Sequence, residues 1–287
     1  MRKLNIVIVW FGVSLLAIAT ACTETIDMNV GTTYTRLVIS GEITTDTMVH
    51  RVYLSKSADY FSNKPVEKIS GAKVSVSDGT VITLLQESAS EQGTYETPAD
   101  FYGLPGHTYR LLVEQVDLGD GHFVSDSASS YLPSPISIDS AQVAQENLYT
   151  NGWSVKLFAK DPDVLGNCYA FKAYINGKLD TDTLSNITTT DDRLFNGKQT
   201  NGIVVFFYEE LDKIKTTDTV VLEMMTINRN YMNFLTSVQT VVQGNIPMFS
   251  GPPANIYTNF KNGALGFFTA YSLSRKSTIV RAHVTQP

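Results

Sequence analysis

The residue whose position most clearly specifies a reaction is Cys22. It directly follows Ala19-Thr20-Ala21, a run of small residues of the kind that precedes a signal cleavage site. Upstream, Arg2 and Lys3 give a short positive start, and an apolar run from Ile6 to Ala19 is broken only by Gly12 and Ser14. That order marks an export signal, and the run falls short of the roughly 20 apolar residues of a membrane span. A thiol at this point specifies a bacterial lipoprotein, with cleavage before Cys22 and lipid on its sulfur and on the new amino terminus. A multiply acylated cysteine anchors firmly, whereas one acyl chain is marginal. Residues 1–21 are therefore expected to be a lipoprotein signal and Cys22 the lipidated residue.

The remaining chemistry-bearing residues form no comparable pattern. His50, His107, His122 and His283 do not stand two or four apart, so no metal-ligand spacing appears and no metal is expected. Neither a Gly-x-Ser-x-Gly elbow nor a glycine-rich phosphate loop occurs. Asp117, Asp120 and Gly121 only faintly resemble a calcium loop, because the ligand at every second position and the closing Glu are missing. Asp161-Pro-Asp163 and Asp191-Asp192 pair carboxylates in loops. Such pairs could do acid–base work, but loop acids more commonly form turns. No catalytic residue and no cofactor is assigned.

Cleavage before Cys22 removes Arg2 and Lys3 from the 22 Lys and Arg and none of the 28 Asp and Glu, leaving a net charge of −8. An acidic chain of this kind argues against nucleic acid or an anionic membrane face as partner. With Cys22 lipidated, Cys168 stands alone and no internal disulfide can form. The fold must rest on its cores, for which the mature chain is long enough. The apolar setting Cys168-Tyr-Ala-Phe171 predicts a buried, inert thiol.

The elements that must position these residues read as strands. Residues 22–33 are polar and unpatterned, a tether. Strand patterns follow over 37–43, 50–55, 73–77, 80–85, 107–116 and 122–125, with Asp78-Gly79 as a hairpin turn. Short strands separated by turn signals predict an immunoglobulin-like β-sandwich over 34–131. Tyr131-Leu-Pro-Ser-Pro135 reads as a boundary, since its two prolines interrupt strand pairing. A second β-rich domain is expected over 136–287, with strands near 136–144, 153–160, 169–175, 179–184, 202–209, 219–227 and 278–284. Asn176-Gly177 is a type I′ hairpin signal, and 186–201 reads as a long polar loop. Tyr231, Phe234, Leu235, Val238, Val241 and Val242 recur at helical spacing, which predicts one amphipathic helix near 229–243. Asn228 is placed to cap its start and Gly244 its end. Its apolar stripe is expected to pack on the sheet.

Residues 246–271 are crowded with aromatics and broken by Pro247, Pro252 and Pro253. They read either as a crossover and buried strand or as an exposed aromatic edge for a partner. On the second reading Tyr257, Phe260 and Phe267 are the candidate binding residues.

Several phrases together carry a family resemblance. They are Cys22, Val38-Ile-Ser-Gly-Glu-Ile43, Val52-Tyr-Leu-Ser-Lys-Ser57 followed by Tyr60-Phe61, and Ser70-Gly-Ala-Lys-Val-Ser-Val76. Gly93-Thr-Tyr95, Pro105-Gly-His-Thr-Tyr-Arg-Leu111 and Pro135-Ile-Ser-Ile-Asp139 follow, then Tyr257-Thr-Asn-Phe-Lys-Asn-Gly-Ala-Leu-Gly-Phe-Phe268, the most specific of them. Over nearly all of the mature chain the sequence resembles the Bacteroidetes lipoprotein family known as domain of unknown function 4249. That resemblance implies an outer-membrane lipoprotein, often displayed at the cell surface, acting as accessory to a TonB-dependent transporter. Glu24 and Asp27 are a weak form of the acidic surface-export signal, so the periplasmic face stays open. The leading expectation is a non-catalytic partner of such a transporter in nutrient uptake. A structural or adhesive surface protein is the alternative, and a hydrolase using Asp161 or Asp191 ranks last.

Overall fold

The computed structural model describes residues 35–58, 64–119, 121–146, 151–243 and 256–281. These residues form sixteen strands and a single α-helix. The N-terminal strands are β1 (Leu37–Thr44), β2 (Arg51–Lys56), β3 (Lys73–Ser77), β4 (Ile82–Leu84), β5 (Gln86–Glu87), β6 (Thr94–Glu96), β7 (Thr108–Asp117) and β8 (Phe123–Tyr131). Then come β9 (Ile138–Glu146), β10 (Gly152–Ala159), β11 (Cys168–Ile175), β12 (Lys178–Leu179), β13 (Thr188–Asp191), β14 (Ile203–Tyr208) and β15 (Thr219–Ile227). Helix α1 (Arg229–Gln243) and strand β16 (Leu265–Ile279) complete the set. The protein is mainly β and sandwich-like.

The strands build three sheets. The largest runs β12-β11-β15-β16-β1-β2-β6-β5, with β13 also paired to β11. A four-stranded sheet, β4-β3-β7-β8, covers one end of it, and a three-stranded sheet, β14-β10-β9, is the third. Alternation along each strand separates the faces. Leu37, Ile39 and Ile43 of β1 join Val74, Leu111 and Val113 in a first core. Tyr169, Phe171, Leu222 and Met224 join Val155 and Leu157 in a second. On the opposite face of β11 and β15, Cys168, Ala170, Met225 and Ile227 pack beneath Tyr231, Phe234 and Leu235 of α1 in a third.

The halves expected from sequence correspond to different cores, yet they do not separate at Pro133–Pro135. One strand, β16, joins them. Its first half pairs in parallel with β1 and its second half antiparallel with β15. Phe260, Ala264, Phe268 and Ala270 therefore lie in the first core, far from it in sequence. The boundary residue Leu132 is fully buried in that core as well. Arg275 adds an ionic tie, bridging Glu223 on β15 at 2.6 Å and Asp46 in the β1–β2 loop at 2.7 Å. Residues 35–281 consequently fall within one compact unit. Parallel pairing cannot be made by a hairpin, so the partner of β1 had to come from far along the chain.

Three further departures concern pattern and length. Of the strand expected at 278–284, Thr278 and Ile279 are the tail of the 15-residue β16, Val280 and Arg281 lie past its end, and 282–284 fall outside the described residues. Within 186–201, read as a polar loop, Thr188–Asp191 forms β13, whose polar side chains conceal a strand paired to β11. Conversely, of 179–184 only Leu179 is in a strand, the two-residue β12. Asn176 and Gly177 adopt the left-handed backbone of the expected turn. The helix is capped as expected, the Tyr231 N–H donating to Asn228 Oδ1 at 2.9 Å. Gly244 lies outside the described residues.

Candidate functional site

The large sheet leaves one face half covered. Helix α1 lies over β11, β15 and β16, while the same face of β1 and β2 is open. Register decides what stands there. Ser40 pairs with Tyr53 across β1 and β2, and with Phe267 across β1 and β16. Glu42 pairs with Thr269. Side chains opposite one another share a face, so Ser40, Glu42, Tyr53, Phe267 and Thr269 gather at the step between helix and open sheet.

The step is a cleft of about 270 Å³. Its floor is Ser40, Glu42, Arg51 and Tyr53, and its aromatic wall is Tyr231, Phe234 and Phe267. Met48 and Leu184 add exposed apolar rim, and His50 lines one end. The wall is a stack with centroid separations of 4.8 Å between Phe234 and Phe267 and 5.5 Å between Tyr231 and Phe267. Such ring pairs fix one another beyond their area burial. Behind the wall, the buried Tyr271 hydroxyl donates to Glu42 Oε2 at 2.7 Å. Burial, reinforced by the Glu42 charge, pushes the Tyr271 phenol well above its ordinary pKa, so it stays a donor.

His50 is buried, and its Nε2 accepts the Thr44 N–H at 3.0 Å. Burial lowers its pKa against the pull of Glu42, which favours the neutral imidazole. Thr269 Oγ1 is buried beside the lining without a hydrogen-bond partner among the described residues. A buried polar atom normally finds a partner, and the exceptions call for a reason. The cleft therefore offers carboxylate, guanidinium, hydroxyl and aromatic groups within one concavity, a lining suited to a small polar ligand. A second concavity, of about 430 Å³ between β4 and residues 98–104, lacks such an orphaned atom.

The candidates named from sequence fall in different places. Cys22 lies outside the described residues. Phe260 is buried in the first core and Phe267 beneath α1, so neither stands on an exposed aromatic edge. Phe267 nevertheless borders the cleft. Only Tyr257 is open, at 39 % exposure, and its ring lies 6.0 Å from that of Phe267. The reason is alternation: on β16, Phe267 and Phe268 must face opposite sides, and both sides are covered.

The loop acids are engaged in structure. Asp161 accepts the Tyr169 hydroxyl and the Gly197 N–H. Asp191 binds Arg193 at 2.9 Å and Arg229 at 2.8 Å. Burial pushes the Asp191 carboxyl up, but these arginines prevail and hold it below the usual range. Among the described residues, no three His, Cys, Asp or Glu side chains group so as to hold a metal. Asp117 caps its own turn through the Gly119 N–H at 2.7 Å. Asp120 and His283 lie outside the described residues. Sequence reading missed Glu42, Thr269 and the cleft. The polar alternation of β1 and β2 was visible, but its neighbour β16 was not.

Fold and cleft thus define a mainly β, sandwich-like protein with a polar-and-aromatic groove beside its helix. The chain belongs to the family described as Domain of unknown function (DUF4249), which matches residues 23–277. No curated protein matches it. Among the described residues, no helix is long and apolar enough to cross a membrane.

Proposed function

We propose that the protein is a lipid-anchored outer-membrane lipoprotein that binds a small molecule without catalysis, as accessory to a TonB-dependent transporter in nutrient uptake. The cleft carries this reading, because its carboxylate, guanidinium and aromatic wall suit capture of a small polar molecule. Cys22 after Ala19-Thr20-Ala21 supports the anchor, on the cell surface or on the periplasmic side.

The first core would serve as docking module, and its strand order supports an immunoglobulin-like reading. Lettered in chain order, β1-β2-β6-β5 and β4-β3-β7-β8 become A-B-E-D and C′-C-F-G. Tyr109, near the start of the F strand, accepts the Leu104 N–H on its hydroxyl at 2.7 Å, as a tyrosine corner does.

The test is recovery of the tagged protein from outer membranes in gentle detergent, with mass spectrometry of what accompanies it. Stoichiometric recovery of a TonB-dependent transporter is expected. Recovery of the lipoprotein alone would turn the reading towards an adhesive or spacer protein.

A further inference from the structure

The charges around the cleft do not balance. Its lining holds one carboxylate, Glu42, and one guanidinium, Arg51. Arg51 is turned away from Glu42. It stands opposite Glu96 across β2 and β6 and binds that carboxylate at 2.9 Å. Arg275 is shared by Glu223 and Asp46, at 2.6 and 2.7 Å. His50 adds no charge, because burial favours its neutral form. Among the described residues Glu42 forms no ion pair. The segments outside them carry no lysine or arginine after Cys22. The mature chain thus supplies Glu42 with no lysine or arginine as counter-ion.

The same carboxylate is held in place. An exposed glutamate on an open sheet is ordinarily free to turn in water. Here the buried Tyr271 hydroxyl fixes Oε2 at 2.7 Å, while Oε1 makes no bond among the described residues. A buried phenol needs an acceptor, but a neutral glutamine would serve it too, so the phenol does not explain the charge. Ser40, two residues earlier on β1, and Tyr53, opposite Ser40 on β2, add hydroxyls on the same face. A fixed anionic acceptor flanked by hydroxyls suits N–H donors, and a group already held loses little freedom on binding. The wall of Tyr231, Phe234 and Phe267 stands beside it and gives an apolar body a surface to lie on. A bare metal ion would need several oxygen ligands at once, and among the described residues no such group gathers.

We propose that the cleft takes an organic cation, with an ammonium or guanidinium head on Glu42 and an apolar body against the Tyr231–Phe234–Phe267 wall. The inference rests on the ligand-binding reading above and names the class of ligand. An anion of the same shape would meet the unpaired Glu42 charge with no free cation to offset it, and like charges brought together in a concavity repel. A neutral molecule would fill the same space without the charge-assisted bond. The charge on Glu42 therefore sets the specificity, and the aromatic wall adds apolar contact.

The experiment titrates the full mature chain, carrying Cys22→Ala so that it stays free of lipid, with three probes of one shape. They are 2-phenylethylammonium, neutral 2-phenylethanol and anionic 3-phenylpropionate, followed by saturation-transfer NMR up to millimolar concentration. The cation is expected to bind at least about tenfold more tightly than the anion, the range of a charge-assisted hydrogen bond. Glu42→Gln keeps an acceptor for Tyr271 and removes the charge. It should weaken the cation at least about fivefold and leave 2-phenylethanol unchanged, with the urea midpoint confirming an intact fold. The comparison of probes on the unaltered cleft stands even if that variant unfolds. Equal or tighter binding of the anion overturns the cationic class while leaving a ligand cleft in place. A cation preference that survives Glu42→Gln places the site elsewhere and overturns the proposal, as does the absence of binding by the cation. None of these outcomes depends on recovery of a transporter, which the detergent pull-down tests separately.

Discussion

Asp126 and Ala264 stand 138 residues apart, yet the Asp126 Oδ2 accepts the Ala264 N–H at 2.8 Å. The other oxygen accepts from Lys261 and Asn262, each at 2.9 Å, and from Ser127 at 2.7 Å. One buried carboxylate thus clamps the turn that delivers β16 to β1. Asp126→Ala would strand these N–H groups in the interior, where orphaned donors are expensive. The expected loss is on the order of 3–5 kcal/mol, read from urea denaturation. A loss below about 1 kcal/mol would show that the turn holds by itself.

Thr269 offers the opposite sign. Its hydroxyl is buried without a partner among the described residues, and valine has the same shape and suits a strand. Thr269→Val is expected to raise stability by up to about 1 kcal/mol and to weaken recovery of the bound partner in the detergent pull-down. Stability gained with capture unchanged would detach this residue from function.

His50 makes the cleft end sensitive to acid. Burial lowers its pKa in the folded protein, so the neutral form is favoured there. The folded state then binds fewer protons than the unfolded one. Stability from this residue is present above its unfolded pKa, near 6.5, and is lost as pH falls through the lower folded value. Protonation also removes the acceptor for the Thr44 N–H. Urea midpoints should fall between pH 7.5 and 5, and His50→Gln should flatten that dependence. A wild-type midpoint that does not move would contradict this account.

Cys168 is fully buried on β11, facing the helix layer, and burial raises its thiol pKa. The native protein should react with Ellman's reagent only at the rate at which it opens, and promptly in denaturant. Rapid stoichiometric labelling of the folded chain would refute the burial.

Gly266 meets a geometric limit. Its φ is +93°, and an added Cβ would sit 2.1 Å from the Ile39 carbonyl oxygen. Gly266→Ala must therefore shift β16 away from β1. A cost of at least about 2 kcal/mol is expected in the same denaturation assay, and an unchanged midpoint would contradict the close approach.

Much of the secondary structure was legible because it depends on local pattern. Lys73–Ser77 and Thr219–Ile227 match their strand readings in both bounds, as residues alternating or continuously apolar should. The helix was legible from Tyr231, Phe234 and Leu235, whose 3.6-residue spacing matches one buried stripe. β13 was not, because Thr188–Thr190 carry no apolar signal and their strand exists only through pairing with β11.

The Tyr257–Phe268 phrase shows where sequence stops. Its polar residues look like a loop, and its aromatics read either as a buried strand or as an exposed edge. In the fold, Asn259 pairs with the backbone of Phe268 at 2.7 and 3.1 Å, and the phrase becomes the hinge of the whole sheet. By itself the sequence determined the β-rich class, the helix over Arg229–Gln243 and the burial of Cys168, since each follows from composition or from spacing within a few residues. The tertiary structure alone decided that two apparent domains share β16, and that Glu42, Tyr53, Thr269 and Phe267 meet in one cleft. Parallel pairing and cross-strand register join residues more than two hundred positions apart, and no local pattern encodes which distant strand will fill an open edge.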